Sequence, residues 1–292
     1  VNTGNFSDAT IMVAETPRAD ILQHFSHFMS EYFVDVALWC HDNPGRHIAV
    51  QDCGKCNPWF ELLESVATVT ILAPSKVSDL AKMFPDNVWA GRGKDEFATK
   101  KVGPKLRRFA ELLSTDVEPR KGHSRVFALR TSDPQFYPPK SWIRRIDNEK
   151  GLARVLKKLF SFESVEFFDT SPRDAIEIMS SCTLFVAQRG AALMNLMFMP
   201  EGSTVVEIYP RDFQASGPRI ERYRRTCAAL GFRFVRIYQK SRTSAVSPIR
   251  LALVVMWVRL SSPFAKPASW PKNSRGTRTP PPTGQATNAA RS

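Results

Sequence analysis

Residues 183–210, TLFVAQRGAALMNLMFMPEGSTVVEIYP, restrict the fold more than any other part of the chain. The run from Thr183 to Ala187 is short, continuous and apolar, as a parallel strand buried on both faces requires. Gln188-Arg189-Gly190 makes a turn, and the small residues Gly190, Ala191 and Ala192 open an apolar helix that reaches about Phe198. Pro200-Glu201-Gly202 ends the helix, and residues 203–209 read as a second strand carrying Glu207 near its end. A strand, a small-residue turn and a helix aim several free N–H groups and a positive helix end at one point, which suits phosphate or another anion. A carboxylate at the end of the following strand lies at the same sheet edge, within reach of sugar hydroxyls. The same pattern also serves a plain β-α-β unit of a doubly wound domain with no ligand there.

The segments after residue 123 alternate regularly. Strands are expected at 124–129, 164–168, 183–187, 203–209 and 232–238, with helices at 149–160, 171–181, 190–198 and 219–230 between them. Asp147 or Asn148 is the expected cap of the 149–160 helix, and Pro172 sits in the first turn of the next. This alternation is the signature of a parallel doubly wound sheet. Residues 19–115 read as a first α/β domain, with strands at 47–51 and 68–73 and helices at 19–40, 58–66, 75–84 and 104–113. Residues 1–18 read as irregular, 89–101 as a loop and 116–123 as a polar linker. The 124–240 domain is followed by an apolar segment at 241–260, readable as a strand, a helix or an interfacial segment. A basic tail at 261–292 reads as disordered.

The formal charge of +13 suggests nucleic acid until its position is considered. Glu221 is the last of the 28 acids, and 14 of the 41 Lys and Arg follow it, leaving 27 against 28 in residues 1–221. The folded body is therefore nearly neutral, and no specific nucleic-acid partner is expected. Five cysteines are too few for a disulfide scaffold of this length. Cys40-His41 with Cys53 and Cys56 offers four metal-ligand types, but a second CxxC is missing, and disulfides or inert thiols fit as well. Residues 251–258, LALVVMWV, fall far short of the ~20 residues a membrane span needs.

On the 19–40 helix, His24, His27 and Glu31 fall close to a common face, where a His–carboxylate pair can supply a general base or simply satisfy a helix contact. At the C-terminal ends of the second domain's strands the sequence places Arg130, Arg144, Arg145, Arg189 and Glu207. Arginine suits a diphosphate because its planar fork donates two hydrogen bonds and keeps its charge. Walker, GxGxxG, kinase, GxSxG and DxD patterns are absent. A bound nucleotide diphosphate would then be neutralised by arginines and helix dipoles rather than by Mg²⁺.

RGAALMNLMFMPEGSTVVEIYP resembles the HGAGLTN…FxPPGxxVVEI signature of family 61 glycosyltransferases. Residues 25–31, FSHFMSE, resemble the family's NxxHxxxE-like stretch. ALRTS and SWIRRIDNEKGL resemble its arginine-containing element, and RRTCAALGFRFVRI resembles the segment after the VVEI strand. The resemblance covers about residues 20–240 in the family's order. It implies a GT-B architecture, two Rossmann-like domains facing across a cleft. It also implies inverting transfer from a UDP-sugar, such as UDP-N-acetylglucosamine or UDP-xylose, to a hydroxyl of a glycan or protein in the Golgi or endoplasmic reticulum lumen. The UDP-sugar is a donor substrate; no cofactor and no metal is implied, and membrane contact is expected only through an anchor outside this chain. Carried over residue by residue, Arg130, Arg144, Arg145, Arg189 and the helix start at Gly190 and Ala191, with Asn195, would hold the nucleotide sugar. Glu207 would bind the nucleoside, and His27 or Glu31 would face the acceptor. Two positions depart from the family pattern: Arg189 stands where the family has His, and Ala175 where it often has Gln. A catalytically impaired nucleotide- or glycan-binding relative, or an unrelated Rossmann enzyme, are the alternatives these departures leave.

Overall fold

The computed structural model describes residues 6–14, 19–90, 102–122, 124–130, 145–212 and 220–261. Two parallel sheets carry the fold. The first contains β1 (Thr10–Val13), β2 (Arg46–Gln51), β3 (Ala67–Leu72) and β4 (Val88–Ala90) in the order β3-β2-β1-β4. β2 and β3 match the expectation from sequence, whereas β1 corrects it, because it lies inside the segment read as irregular. The strand itself has only three apolar residues, Ile11, Met12 and Val13, too few to show a period. Pairing on both sides makes them a strand: Ile11 registers with Ala49 of β2 and with Val88 of β4. β4 similarly occupies the start of the expected loop, and residues 91–101 lie outside the described residues.

The expected 19–40 helix is present in four pieces. A 3₁₀ helix (Ala19–Gln23) leads into α1 (Phe25–Phe28), a π-helical turn (Met29–Phe33) and α2 (Val34–Asp42). The π turn shifts the helical phase by one residue, so that Phe28, Met29, Tyr32, Phe33, Val36 and Cys40 are all buried. The Tyr32 hydroxyl donates to the Met12 carbonyl at 2.9 Å, fixing this helix on β1. A 3₁₀ helix (Gly54–Leu63), α3 (Pro74–Met83) and α4 (Val102–Ser114) complete the first half.

The second sheet contains β5 (Ser124–Ala128), β7 (Glu163–Val165), β8 (Cys182–Gln188), β9 (Thr204–Pro210) and β10 (Arg233–Gln239), in the order β10-β9-β8-β5-β7. All are parallel. The chain starts at β5, goes first to one side and then to the other, so the order reverses between β5 and β8. Alternate residues of each strand feed different cores. Phe127, Leu184, Val186, Val206 and Ile208 face α5 (Glu149–Phe160) and α8 (Pro248–Ser261), while Val126, Phe185, Ala187 and Val205 face α6 (Pro172–Ser180), α7 (Arg222–Ala229) and the 3₁₀ helix Ala191–Phe198. The Ser171 hydroxyl caps α6, accepting from the Asp174 N–H at 3.1 Å. Asn148 occupies the cap position of α5 but does not cap it. Its amide clamps Val246 instead, donating to the carbonyl at 2.8 Å and accepting from the N–H at 3.0 Å, beside the small parallel pair β6 (Arg145–Ile146) and β11 (Thr243–Ser244).

One continuous apolar core joins the two halves. Trp59 and Phe109 of the first half pack on Phe198 of the second, at ring-centroid distances of 5.9 and 5.8 Å. α4 and α7 touch backbone to backbone at Gly103, where an added Cβ would lie 2.3 Å from the Ala229 carbonyl oxygen. The 241–260 segment, left open between strand and helix, forms β11 and α8; the tail at 262–292 lies outside the described residues.

Candidate functional site at the sheet's switch point

In an open parallel sheet, ligands bind beyond the C-terminal strand ends where the strand order reverses, because flanking helices depart to opposite faces and leave a crevice. Here that point lies between the ends of β5 and β8. Arg130 follows β5 and Gly190 follows β8, and the two touch: a Cβ on Gly190 would lie 2.9 Å from Arg130 Nη1. The Gly190 backbone is extended (φ 168°), a conformation open to any residue. A side chain here would therefore act through the guanidinium, which would have to shift to make room for it. The turn is held by Tyr223 of α7, whose hydroxyl donates to the Gly190 carbonyl at 2.8 Å.

Glu149, the first residue of α5, joins this corner. Its Oε1 accepts from the Arg130 N–H at 3.1 Å. Burial pushes its carboxyl up to about 7; the Arg130 N–H and guanidinium hold it down in part, and Glu166 adds to the rise. A carboxyl that titrates near neutrality thus adjoins a permanent cation at the switch point. From sequence Glu149 was visible only as a helix start, since nothing in the pattern indicates its burial.

Arg189 and Glu207 form a separate, enclosed network. Glu207 is 0% exposed, and its two oxygens accept from Arg189 Nη1 at 2.7 Å and Arg236 Nε at 2.6 Å. Arg236 also donates to Glu221 at 3.0 Å and to the Ile220 carbonyl at 2.8 Å, and Arg189 donates to that carbonyl at 3.3 Å. Arg189 lies over the rings of Tyr209 and Tyr223. Burial opposes the Arg236 charge, but Glu207 and Glu221 outweigh it and its pKa is raised. The sequence reading places Glu207 on the nucleoside; here its carboxylate faces the two arginines. The carboxylate has no exposed surface and is occupied by two guanidinium groups, which the alternating apolar pattern of β9 gave no means of foreseeing.

Asn195 is likewise enclosed, at 1% exposure. Its amide donates to the Ala192 carbonyl at 3.1 Å, and its Oδ1 has no hydrogen-bond partner among the described residues. Ala191 opens the 3₁₀ helix and is partly exposed. Arg145 is at the same sheet edge, exposed, and pairs with Asp147 at 3.0 Å. It is tied to the switch strand through its carbonyl: Gln239 donates to it at 2.9 Å, and Gln188 of β8 donates to Gln239 at 2.6 Å. Arg144 lies outside the described residues.

In the first half, His27 Nδ1 and Glu31 Oε1 are 2.6 Å apart across one helical turn, both partly exposed. α1, which carries His27, packs on the 191–198 helix. One turn further on, Ser30 accepts a hydrogen bond from Arg222 of α7 at 3.1 Å. These contacts set the segment carrying the His–Glu pair against α7 and the 191–198 helix. The five cysteines are buried and unpaired, and among the described residues no group of three or more His, Cys, Asp or Glu could hold a metal. Burial pushes the Cys40, Cys56 and Cys182 thiols up to about 12, so they stay protonated at neutral pH.

Parallel sheets flanked by helices, with a guanidinium, a glycine turn and a helix start at the switch point of the second, define an α/β protein of the Rossmann-like type. Comparison with known proteins narrows this. The family model Glycosyltransferase 61 matches residues 25–206, and the chain belongs to that family. It is similar to protein O-linked-mannose beta-1,4-N-acetylglucosaminyltransferase 2 of Xenopus laevis, 34% identical over 73 residues, which cover 24% of this chain and 13% of that protein. The human protein of the same name is 33% identical over 69 residues, covering 23% of this chain and 12% of the relative. The alignments thus span about an eighth of the relatives' length.

Proposed function

We propose that the chain is an inverting glycosyltransferase that takes a sugar from a UDP-sugar donor without a metal ion and passes it to a hydroxyl of a glycan or glycoprotein. The contact of Arg130 with Gly190 at the switch point carries this reading. It sets a permanent cation beside the free N–H groups of a helix start, a combination that neutralises a departing diphosphate in place of Mg²⁺. Arg145, exposed on that edge, reaches the phosphates from solvent, with Arg144 its neighbour in sequence, and Ala191 presents its N–H group. Glu149 fixes the Arg130 backbone. Glu207 and Asn195 act behind the site, Glu207 by holding Arg189. The His27–Glu31 pair is the proposed base. Glu31 orients the imidazole through Nδ1, and Nε2 takes the proton of the acceptor hydroxyl as that oxygen bonds to the anomeric carbon and the bond to UDP breaks. The names of the relatives make N-acetylglucosamine the first sugar to test and a protein-linked glycan the first acceptor. The two parallel sheets are compatible with a GT-B arrangement, and a secretory-pathway lumen is the expected compartment. Titration with UDP and UDP-N-acetylglucosamine, with and without EDTA, tests the donor site; absence of binding by either refutes it.

One observation favours a second reading, a binding protein with impaired turnover. Arg189, where the family has His, is drawn into the Glu207 network. If that departure limits catalysis, Arg189→His raises hydrolysis or transfer from the donor; a further loss shows that Arg189 has been recruited into the site.

A further inference from the structure

α8 is apolar around nearly its whole circumference, yet among the described residues only one side of it is covered. Leu251, Val255 and Val258 are buried against the sheet and α5. On the opposite side, Ile249, Leu253, Met256, Trp257 and Leu260 are exposed, from 45% at Met256 to 80% at Leu260. At 3.6 residues per turn these five fall within about 100° of arc, the width of a stripe that normally faces a core. A contiguous exposed stripe of this kind marks a contact surface, not ordinary scatter of apolar residues.

The charges around the stripe select its partner. Exposed Arg250 and Arg259 border it on either side, and the neighbouring α5 exposes Arg154, Lys157, Lys158 and Leu159. The Trp257 ring lies under the Arg233 guanidinium at 4.1 Å, and Arg233 in turn donates to Ser261 at 2.6 Å. No acid follows Glu221 anywhere in the sequence. We propose that the outer face of α8 docks on an anionic phospholipid surface, the helix lying in the plane of the interface with its five apolar side chains among the acyl chains and its flanking bases at the headgroups.

Other placements of the stripe fit less well. α8 has 14 residues, about 21 Å of helix, and its inner face belongs to the core, so it lies on a bilayer and does not cross it. Pairing with a second copy across a two-fold axis would bring the same arginines together with no acids from this segment to neutralise them. An anionic leaflet supplies that charge and an apolar layer together. The inference is independent of the donor site.

Sedimentation of the full chain with vesicles tests it. Vesicles of phosphatidylcholine with about 30 mol % phosphatidylserine are expected to bind the chain at least tenfold more strongly than pure phosphatidylcholine, with the excess lost near 1 M salt. Ile249→Asp with Leu253→Asp should lower that binding at least tenfold at an unchanged melting temperature, since neither side chain reaches the core. Arg250→Glu with Arg259→Glu should do the same without altering the apolar residues, which covers a failure of the first variant to fold. Binding that survives both variants, or a concentration-dependent dimer that the aspartates dissociate in the absence of vesicle binding, overturns the proposal.

Discussion

Replacing Glu207 with Ala separates two accounts of this carboxylate. In the structure it has no exposed surface and is the shared acceptor of Arg189 at 2.7 Å and Arg236 at 2.6 Å. Removing one partner of a buried ion pair costs about 3–5 kcal/mol, mainly because the remaining charge is left without compensation. Arg236 keeps Glu221 at 3.0 Å and Arg189 keeps the Ile220 carbonyl, so the lower end of that range applies, about 3 kcal/mol. Urea unfolding followed by circular dichroism reads this as a lower midpoint at unchanged slope. Arg189→Met on the Glu207→Ala background removes one orphaned charge and should recover part of the loss, a non-additivity expected of residues in one network. UDP affinity, measured well below the unfolding midpoint, should fall less than about tenfold, or 1.4 kcal/mol. A stability loss under about 1 kcal/mol together with abolished UDP binding would show that Glu207 faces the nucleoside and that the enclosed network is misassigned.

Three further perturbations address the switch point. Arg130→Ala should weaken UDP binding about 10- to 100-fold, the worth of one or two charge-assisted hydrogen bonds, with little change in melting temperature; calorimetry checks both. Gly190→Ala forces the Arg130 guanidinium to move because the new Cβ would lie 2.9 Å from Nη1, so UDP affinity should fall while the backbone, already extended, accepts the residue without strain. Glu149 has a folded-state pKa raised to about 7 by burial, above its ordinary 4.5. The native state therefore binds more protons than the unfolded state between those values, and this group's contribution to stability falls as pH rises from about 4.5 to 7 and is level above it. Glu149→Gln should flatten that part of the stability profile; an unchanged slope would place its titration elsewhere.

Much of the second sheet was legible because its strands are buried on both faces and its helices carry punctuation. The run from Cys182 to Gln188, the capped start at Ser171-Pro172 and the break at Pro200-Glu201-Gly202 appear in the structure within a residue or two of their expected places. β1 was missed because three apolar residues have no period, and its strand character comes from pairing with β2 and β4. The site was legible in part. That Arg130 and Gly190 each follow a parallel strand could be read, since parallel topology brings strand ends to one edge. Their mutual contact, the capture of Glu207 by Arg236 and the burial of Glu149 depend on side-chain directions that short motifs do not encode. His27 and Glu31 were readable as a pair because helical spacing alone sets them one turn apart.

The central claim, a metal-independent diphosphate site between β5 and β8, is tested most directly by calorimetric titration of the full chain with UDP in EDTA, beside the Arg130→Ala variant. The account predicts saturable binding that EDTA leaves unchanged and that the substitution weakens at least tenfold. Binding that requires a divalent cation, or that Arg130→Ala leaves intact, contradicts it.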